Sequence, residues 1–243
     1  MSKTHLPLGT FLNTATVAVG GYAGYLVGEG IPVQYKDVAM GGLGLVTICL
    51  GVKMFLEAKH ILIIAGAIAL GGVLGLLLGL QAGVDHFGVW AMHQFNGEHS
   101  GHFVEAVVTT SILFCVGPMT LIGCLREGLE GNIELLAIKS TLDGVGAFFF
   151  AAALGPGVLV TAGIVLIVQS AITLLARPLQ PLVKDVEVLS EITGAGGIML
   201  MGIGLGILKI KDMSVTSYLP ALVLAPLGVF VMRKFPKRKV VVE

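Results

Sequence analysis

The sequence predicts an all-α integral membrane protein of about eight transmembrane helices, with seven as the alternative count, and three observations lead there. Apolar residues make up 55% of the 243, charged residues only 12%, and the mean hydropathy is +0.94. Soluble domains carry about 25% charge, so no aqueous core could hide this much apolar surface. The apolar residues fall into runs of ~17 to 25, the length that crosses a bilayer as helix. The 35 glycines cluster inside those runs, where they let helices approach closely. The whole chain, 1–243, reads as a single polytopic membrane domain.

Taken in order, residues 1–7 carry one lysine and no small-residue cleavage signature, which predicts an uncleaved first helix over 8–28. Spans follow over 38–56, 61–80 and 104–125, then 135–154, 157–176, 192–208 and 215–232. Gly155-Pro156-Gly157 is a turn signal that divides the fifth span from the sixth. In the fourth span Gly117 precedes Pro118; proline removes a helix hydrogen bond, so the helix is expected to break there and restart with free N–H groups at Pro118. The alternative is a packed kink whose freed carbonyls are met by neighbouring threonines.

Lysine and arginine placement orients the chain. Eight spans with the N-terminus inside put Lys3, Lys53, Lys59, Arg126, Arg177, Lys184, Arg233, Lys234, Lys237, Arg238 and Lys239 on the inner side, against Lys36, Lys209 and Lys211 outside. Both termini are therefore expected in the cytoplasm. Segments 44–52 and 197–205 share glycines seven apart at an offset of 153, and the first helix aligns on the sixth at an offset of 148. Helices one to three would then repeat as six to eight (8–80 and 157–232), joined by linking helices in 104–154. A displacement of five spans turns the second copy upside down, as in the inverted repeats of transporters.

Polar residues inside such spans are costly and read as functional or as packing hydrogen bonds. Lys139 and Asp143 lie four apart, on one face of the fifth helix; an intramembrane ion pair and a snorkelling lysine are the two readings. Asn13 and Thr16 on the first helix, Thr109, Thr110, Ser111 and Thr120 around the break, and Thr161, Gln169, Ser170 and Thr173 on the sixth complete the set. Glu191, Thr193 and Gly194 look like the opening of the seventh helix, with a carboxylate near its positive end. The binding candidates are thus Asn13, Thr109, Thr110, Gly117, Pro118, Thr120, Lys139, Asp143, Gln169, Glu191, Thr193 and Gly194. In the segment 81–103 and just after it, His86, His93, His99 and His102 sit with Asp85, Glu98 and Glu105; the histidines are metal candidates of no established spacing, and Trp90 among them suits an interfacial anchor. Cys49, Cys115 and Cys124 fall in apolar runs and suit packing.

The zero formal net charge leaves no electrostatic footprint for nucleic acid. No phosphate-binding loop, serine elbow or zinc-protease motif occurs, so no cofactor is expected. The partners expected are membrane lipids and a small solute or ion, with a homo-oligomer compatible with the glycine-rich faces.

The run Phe114-Cys-Val-Gly-Pro-Met119, then Gly128-Leu-Glu-Gly-Asn132 and Lys139-Ser-Thr-Leu-Asp-Gly144, resemble the YqgA-like bacterial membrane proteins, domain-of-unknown-function family 554. The opening Leu8-Gly-Thr-Phe-Leu-Asn13 is similar too, as are Thr173–Ala176, Glu191–Gly197, Gly202–Leu205 and Leu219–Leu222. Val168, Ser170 and Arg126-Glu127 depart from the family pattern, as does the histidine-rich loop. The resemblance implies a multi-pass protein of the bacterial inner membrane, with no substrate attached to it. The residues themselves favour a secondary transporter or channel, in which Asp143 or Glu191 binds a coupling cation or proton, Lys139 balances charge and the N–H groups after Gly117 meet the substrate. A non-transporting scaffold and a lipid-modifying membrane enzyme are the rivals.

Overall fold

Among the residues that this computed structural model describes, 7–84, 86 and 103–234, all regular structure is helical and no strand occurs. The elements are α1 (Leu8–Glu29), α2 (Val33–Leu56), α3 (Ile61–Leu77), α4 (Phe103–Cys115), α5 (Pro118–Glu130), α6 (Glu134–Leu154), α7 (Gly157–Leu174), α8 (Ala176–Lys184), α9 (Val186–Ile207), a 3-10 turn (Val215–Tyr218) and α10 (Ala221–Lys234). Among the described residues five segments are long and apolar enough to cross a membrane: α2, α6, α7, α9, and the 3-10 turn continued by α10. The pair α4 and α5, bent by 57° at their junction, makes a sixth when taken as one broken span. Large apolar side chains face outward on these helices, Val38 of α2 being 76% exposed and Ile167 of α7 70%; such a surface belongs against lipid.

Local chemistry sets the helix ends. Gly155 adopts φ 88° and closes α6 before Pro156, the division that the turn signal predicts. The break in the fourth span falls where the sequence places it: Gly117 is extended (φ −132°, ψ 154°) and Pro118 opens α5. Gly131 ends α5 in the left-handed conformation, its N–H bonded to the Glu127 carbonyl at 2.9 Å. Other boundaries differ from the sequence reading. The second helix starts at Val33, residues 80–84 turn helical again after Gly79 (φ 64°), α5 runs on to Glu130, the amphipathic α8 fills what reads as a loop, and α9 opens at Val186.

Glycine ridges bring backbones into contact. A Cβ added at Gly20 or Gly24 would lie 2.1 Å from the carbonyl oxygen of Gly144 or Phe148, and at Gly28 2.7 Å from that of Ala152. The constant register makes α1 and α6 parallel neighbours, a small-residue interface of the kind membrane helices use. The helices α2 and α9 are antiparallel: Gly51 and Gly197 each abut the other's carbonyl, with added Cβ atoms 2.6 and 2.5 Å away. Gly75 of α3 lies as tightly on Ser217 in the 3-10 turn, and Gly157 of α7 on Phe103 of α4. Val17, Phe114, Phe150, Val158, Val165, Met199 and Leu200 are buried between these layers.

Candidate functional site

Helix α7 serves as a ruler, because Thr161, Val165, Gln169 and Thr173 recur every four residues and are all buried. At a rise of about 1.5 Å per residue the stripe spans roughly 18 Å. Polar groups from other helices meet it at successive levels.

At the level of Thr161, its hydroxyl lies 2.6 Å from that of Thr110, which also donates to the Ala106 carbonyl at 2.7 Å. At the other end, Glu127 of α5 is wholly buried, and its carboxylate accepts from the Gly9 N–H, from the Thr10 hydroxyl at 3.2 Å and from the Thr173 hydroxyl at 3.3 Å. A carboxylate on the Gly9 N–H in the first turn of α1 suits the positive end of that helix.

Between these levels Lys139 and Asp143 form an ion pair at 2.5 Å, with residue exposures of 5% and 6%. The ammonium reaches along α6 toward Asp143 and not toward the helix start, so Lys139 does not snorkel. The same Asp143 oxygen, Oδ2, accepts from the Asn13 side-chain amide at 2.9 Å. The Lys139 ammonium also stands 5.8 Å from the centroid of the Phe114 ring, within the reach of a cation–π contact. Phe114 lies in the last turn of α4, so the break adjoins the ion pair. The Thr120 hydroxyl donates to the Phe114 carbonyl at 2.9 Å, and the N–H groups of Thr120 and Leu121 close the first turn of α5 on the Gly117 carbonyl. A Cβ at Gly117 would meet nothing within 4 Å, which places open space beside the break.

Gln169 belongs to the same level as Asn13. Helices α1 and α7 run antiparallel, since Gly21 lies against Val158 and Leu159 while Thr10 and Thr173 share Glu127. One turn outward from that shared carboxylate is Asn13 on α1 and Gln169 on α7. Both residues are fully buried, yet Asn13 Oδ1 and both polar atoms of the Gln169 amide have no hydrogen-bond partner. Buried polar atoms are nearly always paired, so three unused atoms at one level mark a place built for something else.

Two openings flank this stack. A cavity of about 530 Å³ at the Thr161 end is lined by Glu105, Thr109, Lys209, Lys211 and Asp212, and the buried Thr109 hydroxyl that borders it has no partner. At the Glu127 end a cavity of about 250 Å³ between α5 and α8 is lined by Arg126, Glu130, Gln180 and Lys184.

Glu191 requires a correction. The seventh span opens at Val186, capped by Asp185, which accepts from the N–H groups of Glu187 and Val188. Glu191 therefore sits inside α9, where its Oε1 accepts from the N–H groups of Lys59 and His60 at 2.9 and 2.8 Å and caps the start of α3 instead of its own helix. Thr193 bonds to the Leu189 carbonyl, and a Cβ at Gly194 would lie 2.4 Å from Ile64. Glu191 and Gly194 hold α3 against α9, Thr193 bonds within α9, and none of the three is bonded to the Asn13 cluster. Glu127 is the residue that sequence reasoning passed over; its signal was a buried stripe with Thr120 and Cys124 at helical spacing. His93, His99, His102 and Trp90 lie outside the described residues, and His86 is exposed. Among the described residues no three His, Cys, Asp or Glu side chains converge, and all three cysteines are free thiols.

The pattern of a protein family described as "Protein of unknown function (DUF554)" matches residues 8–230. The "Uncharacterized membrane protein YdfK" of Bacillus subtilis (strain 168) is 27% identical over 234 residues, covering 95% of this chain and 99% of that protein. The "Uncharacterized protein YqgA" of Escherichia coli (strain K12) is 29% identical over 222 residues, covering 90% and 94%. No solved structure matches the chain.

Proposed function

The chain belongs to the family of unknown function DUF554, and from that premise we propose that it is a secondary transporter or channel for a small polar solute or ion across the bacterial cell membrane. The observation that carries this reading is the buried Asn13, Lys139 and Asp143 cluster beside the Gly117-Pro118 break, with open cavities at both ends of the polar stack. A scaffold would satisfy its buried polar groups by helix contacts, whereas Asn13 Oδ1 and the Gln169 amide are left unpaired. A lipid-modifying enzyme would need its carboxylate at headgroup level, whereas Asp143 lies nine residues into α6, roughly 13 Å along the helix axis.

Eight spans result when α1 and α3 are added to the six candidates; α3 has 17 residues, and α1, at 22, is diluted by Asn13 and its threonines. Two features support the inverted repeat of 8–80 and 157–232. The contact of Gly44 with α9 at Gly204 becomes, on shifting by 153, the contact of Gly197 with Gly51. On shifting by 148, Asn13 falls on Thr161, and each of these meets a polar partner from the linking helices, Asp143 or Thr110. Such a pair of copies would place the site at the bilayer midplane. The excess of basic residues at the Glu127 end makes that end cytoplasmic, with both termini.

The test is thermal stabilisation of the purified protein across ions, amino acids, organic acids and nucleobases, followed by uptake of each stabilising solute into proteoliposomes. Asp143→Asn should abolish uptake while the protein still folds. Uptake unaffected by Asp143→Asn would overturn the assignment.

A further inference from the structure

We propose, on the transport reading above, that the space between Asn13, Gln169 and Asp143 binds one monovalent cation of sodium size, in competition with the Lys139 ammonium. That place already stabilises a positive charge, because Lys139 holds it against Asp143 Oδ2 at 2.5 Å. The ammonium is a tethered cation. Asn13, bonded to the same carboxylate, and Gln169, at the same level on the facing α7, each carry a further oxygen with nothing to do: Asn13 Oδ1 and Gln169 Oε1, on fully buried side chains and without a partner. Amide carbonyl and carboxylate oxygens are the donors that hard cations take. One carboxylate among them matches a single positive charge, whereas a divalent ion would be left with uncompensated charge in the membrane interior.

The same charge balance dictates an exchange. Asp143 and Lys139 are neutral as a pair, so a sodium ion added to them would bring an unfavourable net charge into the membrane interior. When sodium binds Asp143, Lys139 gives its proton to the solution: one sodium ion enters the site, one proton leaves, and the net charge is unchanged. The ionisable groups that interact with the pair from neighbouring helices are Cys115 at the end of α4 and Cys124 of α5, with Glu127 behind it. Helix α1 contributes Asn13, and α7 contains no ionisable residue. On α2 the ionisable groups Tyr35, Lys36, Asp37, Cys49 and Lys53 are exposed or half-buried.

Purified protein in lightly buffered detergent solution would be titrated with sodium chloride, using choline chloride as the control, while proton release and melting temperature are recorded. The expected result is a saturable release of about one proton per chain with sodium only, and a rise in melting temperature. Gln169→Leu, which leaves the Lys139 and Asp143 pair intact, should weaken the apparent sodium affinity roughly tenfold or more. Lys139→Met should keep sodium binding, with the released proton now coming from the Asp143 carboxyl itself. Absence of both sodium signals, or a sodium affinity unchanged in Gln169→Leu, overturns the proposal. The transport reading fails separately. A different solute taken up in an Asp143-dependent way without any sodium effect removes the cation and leaves transport, whereas sodium binding without flux of sodium or any solute leaves the site and removes transport.

Discussion

Removing one partner of the Lys139 and Asp143 pair should cost far more than removing both. Each side chain is more than nine-tenths buried, and they meet at 2.5 Å. Deleting one partner of such a pair leaves an uncompensated buried charge, which costs about 3 to 5 kcal/mol. Lys139→Met and Asp143→Leu should each destabilise by about that amount. The double variant replaces both charges by apolar groups of similar volume, which is often neutral or better. One penalty survives in it: the Asn13 amide loses the acceptor that it reaches at 2.9 Å, worth ~1 to 3 kcal/mol. Two singles of at least ~3 kcal/mol against a double of ~1 to 3 give a coupling of ~3 kcal/mol or more. Equilibrium unfolding of the four proteins in mixed micelles, closed into a cycle, measures it. Two singles within ~1 kcal/mol of the parent that simply add would refute the burial of this pair. The double variant, folded but without solute flux, would then separate function from stability at this site.

Gly24→Ala would place a Cβ 2.1 Å from the Phe148 carbonyl, forcing α1 and α6 apart at a cost of ~1 to 3 kcal/mol; Gly163→Ala, with nothing within 4 Å, should be silent in the same melting experiment. Gln169→Leu removes two unpartnered buried atoms and should stabilise the protein by ~1 to 3 kcal/mol, and a clear loss of stability would show that the amide is bonded after all. Glu191→Ala orphans the N–H groups of Lys59 and His60, costing ~1 to 3 kcal/mol. Its flux per folded molecule should stay near the parent value, while that of Asp143→Asn should vanish. At the start of α9, hydrogen bonding to Arg233 holds the Asp185 carboxyl down at about 2. Its contribution is therefore full above the ordinary carboxylate range and disappears as pH falls from about 5 toward 2. With Arg233 41% exposed, screening limits it to roughly 1 kcal/mol, and Asp185→Asn should flatten the acid limb of the stability profile by that amount.

What can be read from local order in the chain was legible. The apolar runs, the turn at Gly155-Pro156, the break at Gly117-Pro118 and the shared face of Lys139 and Asp143 all depend on residues within two turns of each other, where helix period and backbone chemistry decide the outcome. Glu191 was misplaced for the same reason: the start of a helix is set by its cap, and Asp185 caps more effectively than the apolar run alone suggests. The partners of the polar groups were not legible. Asn13 meets Asp143 across 130 positions, Gly9 meets Glu127 across 118, and Glu191 meets His60 across 131. Which helix lies beside which is decided by glycine ridges that admit one neighbour at backbone distance, as Gly20 and Gly24 do for α6, and many glycine faces look alike in one dimension. By itself, then, the sequence determined that this protein is helical, lies in a membrane, and carries charge and a broken helix within it. Only the tertiary structure decided that Asn13, bonded to Asp143, and Gln169 keep unused atoms at one level of the polar stack, while Glu191 spends one carboxylate oxygen on the start of α3. An unpaired polar atom is a property of what stands across the interface, and no local pattern records it.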